Sequence, residues 1–167
     1  KTKEFKDIFG NDNFAAVLTQ CDNSLMKENL ELIRQLTNEM MDSISYADKI
    51  TSLTDIEFMV GNEEGMTIEQ IVPDLIPTDA ASLETIRRKA YMKPHIAERL
   101  VSKDGTLSWI ILKLRTFPKD SVWNKGKNAV SPEVLTGNEL EHIITKDKYQ
   151  KLHPKGTGLP YVTAMKM

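Results

Sequence analysis

The stretch Lys155-Gly156-Thr157-Gly158 has the composition of an anion cradle, because glycines let backbone N–H groups approach a phosphate closely. A P-loop requires a strand before it, a helix after it and Lys-Ser/Thr behind the last glycine. Here the apolar pattern places a helix before and a strand after, and the lysine precedes the glycines, so a turn accounts for the stretch better. Lys125-Gly126-Lys127 reads as a solvated loop. His95, His142 and His153 stand apart, without the H-x-x-x-H or H-E-x-x-H spacing that places two imidazoles on one metal. Glu141-His142 reads as a surface pair on a helix. Asp55, Glu57, Glu63 and Glu64 are near enough in sequence to gather at a cation, but lack the alternating oxygen ligands and glycine of a calcium loop. A solvated strand face and turn is the simpler account. Cys21 follows a strand pattern beside Asp22, with no adjacent basic residue to activate the thiol. No G-x-S-x-G elbow presents a serine nucleophile. The residues therefore assign no catalytic, cofactor or metal site, and leave the substrate-binding residues unassigned.

The elements that would position any such chemistry belong to a globular chain. Its 167 residues suffice for one well-packed domain, and a hydrophobic share of 40% with 28% charged residues is too apolar for disorder. A net charge of −2 supplies no basic field for nucleic acid or an anionic membrane. The sheet strands also lack the aromatic pair on which an RNA-recognition sheet stacks bases, and Trp109 and Trp123 suit core or interface packing. No apolar run approaches the roughly 18 residues of a membrane span, and the N-terminus does not read as a signal peptide. The chain begins at Lys1 rather than Met, which fits an excised or processed product. One cysteine excludes an internal disulfide framework.

Periodicity predicts a first strand from Phe14 to Gln20, apolar on both faces and so interior to a sheet. Asp22, Asn23 and Ser24 form a polar turn with N-capping chemistry. A helix follows, because Leu30, Ile33, Leu36, Met40 and Ile44 recur at three- and four-residue spacing. A second strand is expected from Lys49 to Val60, its polar middle at Ser52 and Thr54 marking a bulge or a sheet edge. Asn62-Glu63-Glu64-Gly65 reads as a turn, and Met66 to Val72 as a short extended piece. Thr78 or Asp79 caps a helix through Tyr91, and Pro94 opens a second short helix ending near Leu100. Leu100 to Ser102, the turn Lys103-Asp104-Gly105, and Leu107 to Phe117 read as a hairpin. Pro118 to Pro132 is a long loop, Thr136 to Leu152 a helix, and Leu159 to Met165 a last strand. Without an insertion over 73–100, the order is strand, helix, strand, strand, helix, strand. That is the ferredoxin-like split-βαβ plan of an α+β domain, with an antiparallel sheet and helices on one face.

Four stretches, in order, carry a family resemblance: Asn13–Leu18 leading to Asn29–Thr37; Ile50-Thr51-Ser52-Leu53-Thr54-Asp55-Ile56-Glu57 with the acidic turn and Gly65; Leu100-Val101-Ser102-Lys103-Asp104-Gly105-Thr106; and Gly156-Thr157-Gly158-Leu159-Pro160. Together they resemble the first extracytoplasmic loop of resistance–nodulation–division (RND, MMPL-like) exporters, in the subgroup of hopanoid and large mycobacterial lipid transporters. The loop between Phe117 and Ser131 departs from that likeness. The resemblance implies a non-enzymatic porter domain, in the periplasm, of a bacterial inner-membrane protein. One membrane helix would precede Lys1 and another follow Met167. It implies as partners a second porter domain, the membrane helices of the same polypeptide, a homo-oligomer, and a hydrophobic or lipid-like substrate, with no nucleic acid and no cofactor. The competing expectation is a stand-alone cytoplasmic ferredoxin-like module that binds a ligand or regulates. A hydrolase with scattered catalytic residues is a third.

Overall fold

The computed structural model describes residues 13–93, 99–119, 123–124 and 129–165. The expected short helix at Pro94 lies mostly outside them, as do His95 and Lys125-Gly126-Lys127. Four strands form an antiparallel sheet in the order β2-β5-β1-β6: β1 (Phe14–Gln20), β2 (Ala47–Thr51), β5 (Leu107–Leu114) and β6 (Lys155–Thr157). A separate two-stranded hairpin joins β3 (Glu57–Asn62) and β4 (Gly65–Gln70). The helices are α1 (Lys27–Ser43), α2 (Ala80–Met92), α3 (Pro132–Ile144) and α4 (Leu159–Met165), with a 3₁₀ turn at Asp147–Leu152. This mixed α+β arrangement is compatible with a ferredoxin-like plan. Among the described residues, no helix is long and apolar enough to cross a membrane.

β1 and β5 occupy the middle of the sheet, and β1 is apolar on both faces, as the sequence predicts. Val17 sits opposite Ile110 and Ala15 opposite Leu112, and all four join Ile33, Leu36 and Met40 of α1 and Leu140 and Ile143 of α3 in one core. Ala16 opposite Ile111 belongs to the other core, with Ile86 and Ala90 of α2 and with Ile71, Val72 and Ile76 of the chain leading to it. Helices thus lie on both faces, not one, because the segment between β2 and β5 brings its own apolar stripe to the far side. Each large aliphatic side chain fully buried in this way contributes about 1.5–3 kcal/mol. α1 follows its predicted stripe, but its N-cap is Met26, which makes no side-chain cap bond. The polar turn is occupied otherwise: Asn23 Oδ1 accepts from the Leu25 N–H at 3.0 Å, and Asn29 Nδ2 donates to the Asn23 carbonyl at 2.7 Å.

The second strand expected from Lys49 to Val60 is two strands in two sheets. β2 ends at Thr51, and Asp55 N–H turns back to the Ser52 carbonyl at 3.1 Å. The break has a packing cause. Ser52 is buried with its hydroxyl 3.0 Å from Thr37 Oγ1 of α1, and the next residue, Leu53, is fully buried in the far core. The polar middle is therefore an anchored turn, and β2 lies at the sheet edge. The expected Asn62–Gly65 turn closes β3 onto β4, with Gly65 at a φ of 127° that favours glycine. α2 begins as predicted, its N-cap Asp79 accepting from the Ser82 N–H at 2.8 Å. The Leu100–Ser102 arm of the expected hairpin reduces to one bridge, Val101 to Ser108, with Gly105 at a φ of 76° in the turn.

The C-terminal third departs furthest. The helix expected over Thr136–Leu152 starts earlier, because Ser131 Oγ accepts from the Val134 N–H at 3.2 Å and Pro132 takes the first turn. It also stops earlier, at Ile144. Thr145 Oγ1 donates to the Glu141 carbonyl at 2.7 Å, and Gln150 Nε2 donates to the Ile144 carbonyl at 2.9 Å, closing groups a helix end leaves open. The 3₁₀ turn that follows buries Tyr149 and Leu152 and brings Tyr149 Oη within 2.6 Å of Glu39 Oε1 on α1, where Lys146 and Lys148 also converge. The last strand is Lys155–Thr157, and Leu159–Met165, expected as that strand, is α4. Short apolar runs are ambiguous between the two forms. Here Gly158, at a φ of 104°, turns the chain, Pro160 sits in the first helical turn, and Ala164 packs on Gly137.

At Gly137 α3 and α4 approach closely. A Cβ there would lie 2.4 Å from Ala164 Cβ and 2.6 Å from the Pro160 carbonyl oxygen. Gly-to-Ala in a helix ordinarily gains about 1 kcal/mol, whereas overpacking against backbone costs about 1–3 kcal/mol. G137A is therefore expected to lower the urea midpoint, with the m-value unchanged. A raised midpoint would refute the contact. The Glu39 cluster supplies a second prediction. Burial pushes its carboxyl up, but the hydrogen bonds from Lys146, Tyr149 and Lys148 outweigh it and hold the group below its ordinary range. The stabilisation is thus complete above the unfolded carboxylate pKa and disappears as pH falls through the lower folded value. Urea titrations across that acidic window should show a steeper loss for the wild type than for E39Q.

Candidate functional site

β1 delivers Cys21 to the end of the sheet, where its position is set by the neighbouring turn. Cys21 N–H donates to the Thr106 carbonyl at 2.9 Å, and Ser24 N–H to the Gly105 carbonyl at 2.7 Å. The turn is rigid because Asp104 Oδ1 accepts from Ser102 Oγ at 2.7 Å, Thr106 Oγ1 at 2.7 Å and Thr106 N–H at 3.0 Å. These bonds, the Ser102 hydroxyl foremost, hold the Asp104 carboxyl at about 2. The 3₁₀ turn ends with His153 at a left-handed φ of 45°, and Lys155 then pairs opposite Leu18. Two segments remote in sequence so bring Cys21, His153 and Lys155 to one place, beside the turn at Thr106.

Two adjoining cavities open there, both lined by Cys21, Asp22 and His153. One, of about 460 Å³, adds Met26, Glu28, Asn29, Gln150 and Lys151; the other, of about 610 Å³, adds Gln20, Thr106 and Lys155. Lys151 Nζ meets Glu28 Oε2 at 2.7 Å on the rim, a pairing that lowers the carboxyl's pKa and raises the ammonium's. Cys21 Sγ lies 3.6 Å from Ser24 Oγ, a hydroxyl rather than a base. Asn29 is 3% exposed, and its Oδ1 is a buried acceptor with no hydrogen-bond partner among the described residues. The mixed signs suit a hydrogen-bonding solute of either charge. Glu28 and Lys151 lie 123 positions apart, so no spacing in the sequence points to their pairing.

The remaining candidates separate. Lys155, Gly156 and Thr157 form β6 itself, after the 3₁₀ turn and before α4, so a helix follows in place of the expected strand, and the space beside the glycines is occupied. A Cβ on Gly156 would lie 2.6 Å from the Tyr161 ring, and one on Gly158 2.6 Å from the Phe14 carbonyl oxygen. His142 is exposed on α3, and its neighbour Glu141 accepts from the Tyr161 hydroxyl instead. Burial, then that carboxylate, push the Tyr161 phenol up to about 12. Asp55 and Glu57 line a cavity of about 530 Å³ beside the edge strand β2, with Met41, Asp48 and Lys49. Burial, then Glu57, raise the Asp55 pKa. Glu63 and Glu64 lie at the hairpin turn, away from that cavity. Among the described residues, no group of three or more His, Cys, Asp or Glu could hold a metal ion. Trp109 packs at the far core and Trp123 is half-buried.

Because Cys21 is half-buried yet lines both cavities, a small maleimide should label it in the native chain, and the adduct should unfold at nearly the unmodified urea midpoint. Labelling that occurs only in denaturant would show the depression closed to solutes. No protein-family model matches the chain, and no curated protein matches its sequence significantly.

Proposed function

We propose that the chain is a non-catalytic porter domain of an RND-type exporter, a ferredoxin-like split-βαβ unit on the extracytoplasmic side of a bacterial inner membrane. The observation that carries this reading is the meeting of the first and last strands in the sheet. β1 begins at Phe14, β6 ends at Thr157, and Gly158 lies against the Phe14 carbonyl oxygen. A domain strung between two membrane helices must return its chain near the point of departure. The order β2-β5-β1-β6 supports the split-βαβ assignment, with β5 lying antiparallel between β1 and β2. The four resembling stretches fall on its framework: β1 into α1, the end of β2, the turn into β5, and the β6–α4 junction.

In this role the domain moves as a unit. A sheet packed on both faces resists internal shear, so displacement against a second, similar domain and the membrane helices of the same polypeptide would open and close a path for a hydrophobic or lipid-like solute. The path would lie between domains, where clefts are common. Energy coupling would reside in the membrane helices. The runner-up, a cytoplasmic ferredoxin-like module, draws on the cavity beside the open edge of β2.

Leu75 is 87% exposed and serves as a reporter. With L75C in a C21S background of the full-length polypeptide, a membrane-impermeant maleimide should label intact cells whose outer membrane has been permeabilised. Labelling only after lysis would sink the exporter reading and leave the cytoplasmic one.

A further inference from the structure

Charge in this chain is divided sharply. From Ile50 to Ile86 there are eight carboxylates and no Lys, Arg or His, against a net charge of −2 for the whole chain, so the rest is basic. The change of sign comes at Arg87-Arg88-Lys89. The acidic segment contains the β3–β4 hairpin, whose strands form a sheet of their own, separate from the main one. Met66 and Ile68 alternate on one face of β4 and are 61% and 67% exposed. A two-stranded hairpin with an uncovered apolar face is marginal in water and calls for a cover.

The matching surface is on α2. Arg87, Arg88 and Lys103 line a groove of about 320 Å³ with Tyr91 and Glu84. Met92, 75% exposed, lies one helical turn beyond Arg88 and next in sequence to the groove-lining Tyr91, placing an apolar side chain near the groove. The hairpin is apolar with carboxylates at its tip, and the groove is basic with an apolar edge. Met66, Ile68, Arg88 and Met92 are all exposed, so the two surfaces do not cover one another within one chain.

We infer that the β3–β4 hairpin docks into the α2 groove of a second copy of this chain, with Glu63 and Glu64 against Arg87, Arg88 and Lys103, and Met66 and Ile68 against Met92. A second copy is the occupant because each chain carries both halves of the complementary pair. This association does not require the membrane setting, so its failure leaves the exporter reading standing, and the reverse holds too.

Sedimentation velocity on the 167-residue chain tests it. Self-association should weaken when salt rises from about 0.1 M to about 1 M, which shortens the screening length from about 10 Å to about 3 Å. The charge reversals E63K/E64K and R87E/R88E should each weaken it by about tenfold or more, since like charges then face each other. Mixing the two variants should restore association, because the basic hairpin of one then meets the acidic groove of the other. That recovery requires both chains to be folded, so misfolding cannot imitate it. A chain that stays monomeric at every concentration, or a mixture that associates no better than its components, overturns the proposal.

Discussion

Burial of the β1–β5 pair on both faces is the constraint on which the rest of the structure depends. Strand side chains alternate, so one register commits Ala15, Val17, Ile110 and Leu112 to α1 and α3, and Ala16 and Ile111 to α2 and its leading segment. A slip of one residue would exchange these sets. The near core would then receive Lys113 and Trp109 where Leu112 and Ile110 now fit. The register therefore settles where both helical layers can lie, and with them the positions of every loop at the sheet ends.

Polar contacts hold the layers to that frame at a few points. Thr37 meets Ser52 and fixes the end of β2 on α1, while Glu39 gathers Lys146, Lys148 and Tyr149 and fixes the 3₁₀ turn on the same helix. Glycines do the opposite work where backbones must touch. Gly137 admits α4, Gly156 admits the Tyr161 ring, and Gly158 admits the backbone of β1. The contacts at Gly156 and Gly158 explain why a glycine-containing turn that looks suited to phosphate is filled by the protein itself.

The surfaces left over are of two kinds. At the end of β1 a polar depression collects a thiol, an imidazole and paired charges, sized for a small solute. Between β2 and β5 the chain carries an acidic hairpin with exposed apolar residues, then a basic helix. The second kind is chemically suited to contact with another protein surface. Asn29, whose buried Oδ1 has no partner among the described residues, is part of the lining of the first kind.

Local pattern alone determined β1, α1, α2 and the apolar faces of β5, because each has enough residues for its period to stand out and its burial follows that period. It also determined the charge division at Ile86–Arg87, which needs only composition. Tertiary structure decided the breaks. Ser52 ends a strand because Thr37 is there to bond it, and the α3 helix yields to a 3₁₀ turn because Glu39 and the core claim Lys146 and Tyr149. Leu159–Met165 is a helix because Gly137 offers a seat, and Lys155–Thr157 is a strand because β1 has an open edge. The meeting of Cys21 with His153 and of Glu28 with Lys151 was likewise decided in space, since nothing in a sequence records which distant segments share the end of a sheet.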